Sequence, residues 1–132
     1  MQNTKNTPLR VAMGGLGAVG LPVVEWLDSG EEPGLQLVAV SAGDKERAAG
    51  RLAYLKTPPP VMELAELAAV ADVIVECAPP EHFLDVCGPA VEQGRILVPL
   101  SVSQLLHHMD LVDRARETGA TIVVPTGALV GL

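Results

Sequence analysis

Aromatic side chains are nearly missing from this chain: Phe, Tyr and Trp occur once each. A core without them must be filled by Val, Leu, Ala and Ile, and hydrophobic residues still make up 48% of the sequence. Such a Val/Ala-rich, Gly-rich composition suits a parallel sheet covered on both faces by helices. Clusters of lysine and arginine are also missing, and the net charge is −7. That balance repels a phosphate backbone, so no nucleic-acid partner is expected. No run of 18 apolar residues occurs, which predicts no membrane span. Residues 1–8 are polar and the first apolar run is broken by glycines, so no secretory signal is read. Cysteine is scarce too. Cys77 and Cys87 match neither zinc-ligand nor redox spacing, and buried thiols in a cytoplasmic protein, with no metal, are expected.

What is present begins at Leu9. The run Leu9–Gly14 reads as a strand, and it leads into Gly15-Leu16-Gly17-Ala18-Val19-Gly20, a G-x-G-x-x-G turn. A helix over Ala18–Ser29 follows, with Leu21 to Leu27 in a helical apolar pattern. Strand, glycine turn and helix in that order predict a dinucleotide-binding site. Gly15 permits the turn, Gly17 lets a pyrophosphate approach the backbone, and Gly20 lets the helix pack against the sheet. Free N–H groups at the helix start then face the phosphates.

With 132 residues, the chain has room for one domain with a substantial core. Residues 1–8 read as a loose leader and 9–132 as the domain. Further strands are read at Leu35–Ser41, Asp72–Cys77, Arg95–Leu100 and Thr121–Pro125, with a short one near Val61. A short helix is read as starting with Asp44–Ala49, with Asp44 as N-cap, and further helices over Met62–Val70, over Pro80–Gln93 with Pro89 kinking or dividing it, and over Ser103–Thr118 with Ser103 as N-cap. Gly30, Pro33, Gly34 and Gly119 act as stops. The alternation predicts an α/β fold, a three-layer, doubly wound parallel sheet of the Rossmann type, with strand order 3-2-1-4-5-6.

Ligands in such sheets sit beyond the carboxyl ends of the strands. After the second strand, Ser41 stands where an acid often binds the adenosine ribose. Ser41 with Lys45 or Arg47 suits a 2′-phosphate, whereas Asp44 either turns back to the ribose or only caps its helix. NAD and NADP therefore both remain open. After the next long strand, Ala78 and Pro79 leave room for the cofactor, and Ser101, just after the strand that follows, is a candidate for the nicotinamide side. Glu81 and His82 are weaker acid/base candidates that open a helix. Glu76, inside a strand, is read as a structural contact. His107 and His108 diverge by about 100° on a helix and form no metal pair.

The segments GGLGAVG, DVIVECAPPEHF, GRILVPLSVSQLL and VPTGALVGL together resemble the L-aspartate dehydrogenase family, from about Leu9 onward. Pro125-Thr126-Gly127-Ala128 is the most specific part. The resemblance implies NAD(P)-dependent interconversion of L-aspartate with iminoaspartate, or oxaloacetate plus ammonia, by a cytoplasmic homodimer. It also implies a pyrophosphate held by Gly15, Gly17, Ala18, Val19 and Gly20, and a nicotinamide bordered by Ala78 and Ser101. Family members carry their substrate residues and a catalytic His in a following α+β domain. The chain stops at Leu132, where that domain is expected to begin, so none of its three histidines inherits the role and the 132 residues alone are expected to be inactive. Ser41 departs from the acid of NAD-preferring relatives. Homoserine dehydrogenase, dihydrodipicolinate reductase and a stand-alone nucleotide-binding module are the alternatives.

Overall fold

Five apolar runs supply the strands of a single parallel sheet in the structure, a computed structural model that describes residues 7–125. They are β1 (Leu9–Gly14), β2 (Leu35–Ser41), β3 (Val73–Glu76), β4 (Ile96–Pro99) and β5 (Thr121–Ile122), in the order β2-β1-β3-β4-β5. The expected short strand is one bridge beyond the β2 edge, where Val61 pairs with Val40 in parallel. With that bridge included, the order matches the doubly wound expectation, with β1 and β3 meeting at its centre.

Side-chain alternation divides the core into two layers. Val11, Met13 and Val73 face α1 (Gly20–Ser29) and α2 (Lys45–Leu52), where Val24, Leu27, Ala48 and Leu52 close over them. Ala12, Ile74 and Leu97 face the other way. There they meet α3 (Leu67–Val70), α4 (Phe83–Glu92), α5 (Val102–Leu106) and α6 (Asp110–Thr118). A register shift at Val11/Ala12 adds a residue to β2, so Val38 and Ala39 both pack on this second face.

Several elements differ from the sequence reading. The first helix starts at Gly20, because Gly17, Ala18 and Val19 form the turn itself. The Met62–Val70 helix is a 3-10 turn at Leu64–Glu66 running into α3. Pro80–His82 is likewise a 3-10 turn before α4, and Pro89 does not divide α4. The long Ser103–Thr118 helix is two helices. Ser103 lies inside α5 and caps nothing; Ser101 occupies the N-cap position. The break is made by i→i+3 bonds from His107, His108, Leu111 and Val112. An unbroken helix would carry the line of Leu105 on to Met109 and Val112. The break brings Leu111 and Ala115 to the core instead and leaves Met109 49% exposed. His108, placed at this break and not mid-helix, stacks on Phe83 at 5.6 Å between ring centroids.

Candidate functional site

The three glycines of the first turn meet three different surroundings. Gly15 has φ +114°, and a Cβ there would lie 2.6 Å from the Cys77 carbonyl oxygen. A Cβ on Gly20 would lie 3.0 Å from Cys77 Sγ and 3.2 Å from the Gly15 carbonyl oxygen. Both glycines are required by the fold: one by backbone conformation, the other by the approach of α1 to β3. Gly17 is different, because a Cβ there would meet nothing within 4 Å. Its bareness leaves open space in front of the turn. Among the described residues, none of the N–H groups from Leu16 to Gly20 has a hydrogen-bond partner, and the first bond of the turn into α1 is Leu21 N–H to the Gly17 carbonyl at 3.1 Å. Gly17, Ala18 and Val19 are exposed, while Gly20 is buried. Unpaired donors at a helix N-terminus form a ready cradle for phosphate.

The turn opens into a cleft of about 480 Å³ lined by Gly15, Gly17, Asp44, Arg47, Arg51 and Ala78, among others. A second hollow, of about 310 Å³, adjoins it and is lined by Ser41, Lys45, Glu63, Pro79 and His82. Ser41, at the carboxyl end of β2, is 3% exposed. Asp44 caps α2: its Oδ1 accepts the Arg47 N–H at 3.0 Å. Lys45 pairs with Glu63 at 2.7 Å. Arg51, not foreseen from the sequence, follows Arg47 by one helical turn and shares its face. The i, i+4 spacing from Arg47 was the available signal.

At the end of β3, Ala78 and Pro79 form the opposite lip of the cleft. Beneath them Glu76 is fully buried and receives three donors: Ala78 N–H at 3.0 Å, Ser101 N–H at 3.0 Å and Ser101 Oγ–H at 2.8 Å. Its structural reading is therefore correct. Ser101 lines neither hollow; its hydroxyl is committed to Glu76. Cys77 also had a role that sequence reasoning missed. Its Sγ–H donates to the Gly15 carbonyl at 3.1 Å, holding β3 under the glycine turn. Burial, with the nearby Glu76 carboxyl, pushes this thiol up to about 12. His82 faces the adjoining hollow and bonds Asp85 at 3.0 Å, with both side chains at least half exposed. Among the described residues no three His, Cys, Asp or Glu side chains gather as a metal site, and no helix is long and apolar enough to cross a membrane.

A family model described as homoserine dehydrogenase, NAD binding domain, matches residues 15–125. The chain belongs to this family. It is 44% identical over 129 residues to the L-aspartate dehydrogenase of Bradyrhizobium diazoefficiens, covering 98% of this chain and 45% of that protein. It is 40% identical over 124 residues to L-aspartate dehydrogenase 3 of Bordetella bronchiseptica, covering 94% of this chain and 46% of that protein. A solved homoserine dehydrogenase from Thiobacillus denitrificans superposes with a TM-score of 0.74 at 18% identity, over 89% of this chain and 29% of that one, which shows the shared Rossmann-type fold. The chain spans about half the length of the curated relatives it matches. It is thus an NAD(P)-binding domain homologous to that of L-aspartate dehydrogenases, as the sequence resemblance implied. The residues present fit such a dinucleotide: the open position at Gly17 and the free N–H groups beside it suit a pyrophosphate. The terminal Thr126–Ala128 part of the motif and residues 1–6 of the leader lie outside the described residues.

Proposed function

We propose that the complete protein is an NAD(P)-dependent L-aspartate dehydrogenase and that this chain is its cofactor-binding part. The single observation that carries the reading is the 44% identity to an L-aspartate dehydrogenase across 98% of the chain. The bound cofactor would accept hydride from the α-carbon of L-aspartate, leaving iminoaspartate, whose hydrolysis gives oxaloacetate and ammonia. This chain's residues bind and orient. Gly15, Gly17, Ala18, Val19 and Gly20 form the turn that takes the pyrophosphate; Gly17, Ala18, Val19 and Gly20 offer backbone N–H groups, while Gly15 shapes the turn and gives its own N–H to the Ser41 carbonyl at 3.1 Å. Ser41 and Asp44 flank the adenosine ribose, and Ala78, Pro79 and Ser101 border the nicotinamide side. The role of these groups is to fix the reacting ring in place, because hydride transfer needs a near-attack geometry. The groups that hold the amino acid or 2-oxo acid lie in the part of the relatives that this chain does not cover, and none of His82, His107 and His108 is assigned a catalytic role. A cytoplasmic homo-oligomer completes the proposal, as the resemblance implies.

A test follows NAD(P)H absorbance with the complete protein, supplied with oxaloacetate and ammonia or with homoserine. Turnover on the first pair and not on homoserine supports the reading. Turnover on homoserine alone would sink the substrate assignment and favour the activity for which the family model is described. In parallel, calorimetry of Gly17→Val should show nucleotide affinity lowered by at least about tenfold with the fold intact, since a Cβ at this position meets no protein atom within 4 Å and the side chain enters the phosphate approach.

A further inference from the structure

We infer that the cleft selects the 2′-phosphorylated cofactor, with Arg47 and Arg51 of α2 as its anion-binding pair and Ser41 on the adjoining hollow. This rests on the nucleotide-binding reading above and adds which of the two dinucleotides is preferred. Among the described arginines, Arg10, Arg114 and Arg116 pair with carboxylates and Arg95 donates to the Ala68 carbonyl. Arg47 and Arg51 alone have guanidinium groups with no partner among the described residues, in a chain with 16 acids against nine lysines and arginines. Both line the cleft that opens from the glycine turn. Lys45, the other cation expected to supply charge here, is already neutralised by Glu63 at 2.7 Å.

The end of β2 agrees with this assignment. An acid at this point would accept the 2′-hydroxyl of NAD and repel a 2′-phosphate. Ser41 stands there instead. It is 3% exposed, its hydroxyl has no hydrogen-bond partner among the described residues, and it lines the adjoining hollow. Asp44 is the one carboxylate on the cleft, and its Oδ1 is engaged as the α2 cap. Two arginines and one aspartate leave a net positive charge where the protein as a whole is negative. A phosphate takes paired N–H donors from a guanidinium, whereas a 2′-hydroxyl gains little from one.

The experiment titrates the complete protein by calorimetry with adenosine 2′,5′-bisphosphate and with AMP, which differ only in the 2′-phosphate. The bisphosphate should bind at least about tenfold more tightly. In the double variant Arg47→Gln/Arg51→Gln that margin should disappear while AMP affinity changes by less than about twofold. Ser41→Asp should weaken the bisphosphate more than AMP. NADPH and NADH, followed by nicotinamide fluorescence, should repeat the pattern. Equal affinities in the wild type would overturn the selectivity alone. Parallel loss of both nucleotides in the double variant would also overturn it, by moving the arginines to the shared 5′-phosphate. Binding of neither nucleotide by a natively folded protein would overturn the selectivity together with the nucleotide-binding reading.

Discussion

The Ser101 hydroxyl donates to the buried Glu76 carboxyl at 2.8 Å and so fastens the start of α5 to the end of β3. The Ser101 N–H reaches the other oxygen at 3.0 Å, and Ala78 N–H shares the first. One side chain thereby sets two adjacent loops at the carboxyl edge of the sheet, and one of those loops carries Ala78 into the cleft. Glu76→Gln keeps the shape but turns an NH₂ group toward a donor. Leaving one buried donor unmatched should cost about 1–3 kcal/mol. Ser101→Ala removes one donor and should cost about 1 kcal/mol. Urea denaturation is the measurement, and the two effects should be non-additive because they share a network. A Glu76→Gln midpoint equal to wild type would show that the network does not hold the edge. Nucleotide affinity should fall in Glu76→Gln along with stability.

A second prediction separates the glycines. Gly15→Ala meets both a positive φ and a carbonyl oxygen at 2.6 Å, so it should lose at least about 2 kcal/mol of stability. Gly17→Ala meets nothing within 4 Å and should shift stability by no more than about 0.5 kcal/mol. Thermal melts of the two variants decide it. Comparable destabilisation in both would mean that Gly17 also serves the fold and is not spared for a ligand.

The glycine turn was legible because each of its features is local: strand, spacing, helix. The parallel sheet was legible for a similar reason, since β1, β2, β3 and β4 are short apolar runs of the kind that a sheet buried on both faces requires. The Asp44 cap could be read from adjacent residues too. What stayed hidden depends on distance along the chain. Lys45 looked free until the fold brought Glu63 to it. That the Ser101 hydroxyl is bonded to Glu76, 25 positions away, could not be read from its neighbours in sequence either. The break at His107–Met109 has no glycine or proline to announce it; it follows from which leucines the core can receive.

A third prediction concerns acid. Arg10 holds Asp72 through its guanidinium at 2.9 and 3.2 Å and through its backbone N–H at 2.9 Å, joining β1 to the entry of β3. These bonds lower the Asp72 carboxyl from 3.8 to about 2. The folded value lies below the unfolded one, so the contribution to stability is complete above about pH 4 and is lost as pH falls toward 2. Asp72→Asn should therefore melt below wild type at neutral pH, and the gap should close across that window. A gap that stays constant from neutral pH to pH 2 would remove Asp72 from the acid response.

The last prediction concerns Cys77. It lines the cleft, yet its thiol is pushed up to about 12, first by burial and then by the Glu76 carboxyl. The thiolate is the nucleophile, so at neutral pH the reactive fraction should be roughly a thousandfold below that of an ordinary cysteine. Iodoacetamide should modify the folded protein slowly, at a rate that climbs with pH toward 12 for as long as the fold survives. Cys87, shifted up further by burial, should lag behind it. Once formed, an adduct on Cys77 occupies the space between Gly15 and Gly20, since Sγ already donates to the Gly15 carbonyl and sits 3.0 Å from where a Gly20 Cβ would be. Modified protein should then bind nucleotide weakly, and bound nucleotide should slow the labelling. Mass spectrometry of labelled peptides against pH, with and without NADPH, reads both effects. Rapid labelling of Cys77 at neutral pH in natively folded protein would show that the thiol is not held as described.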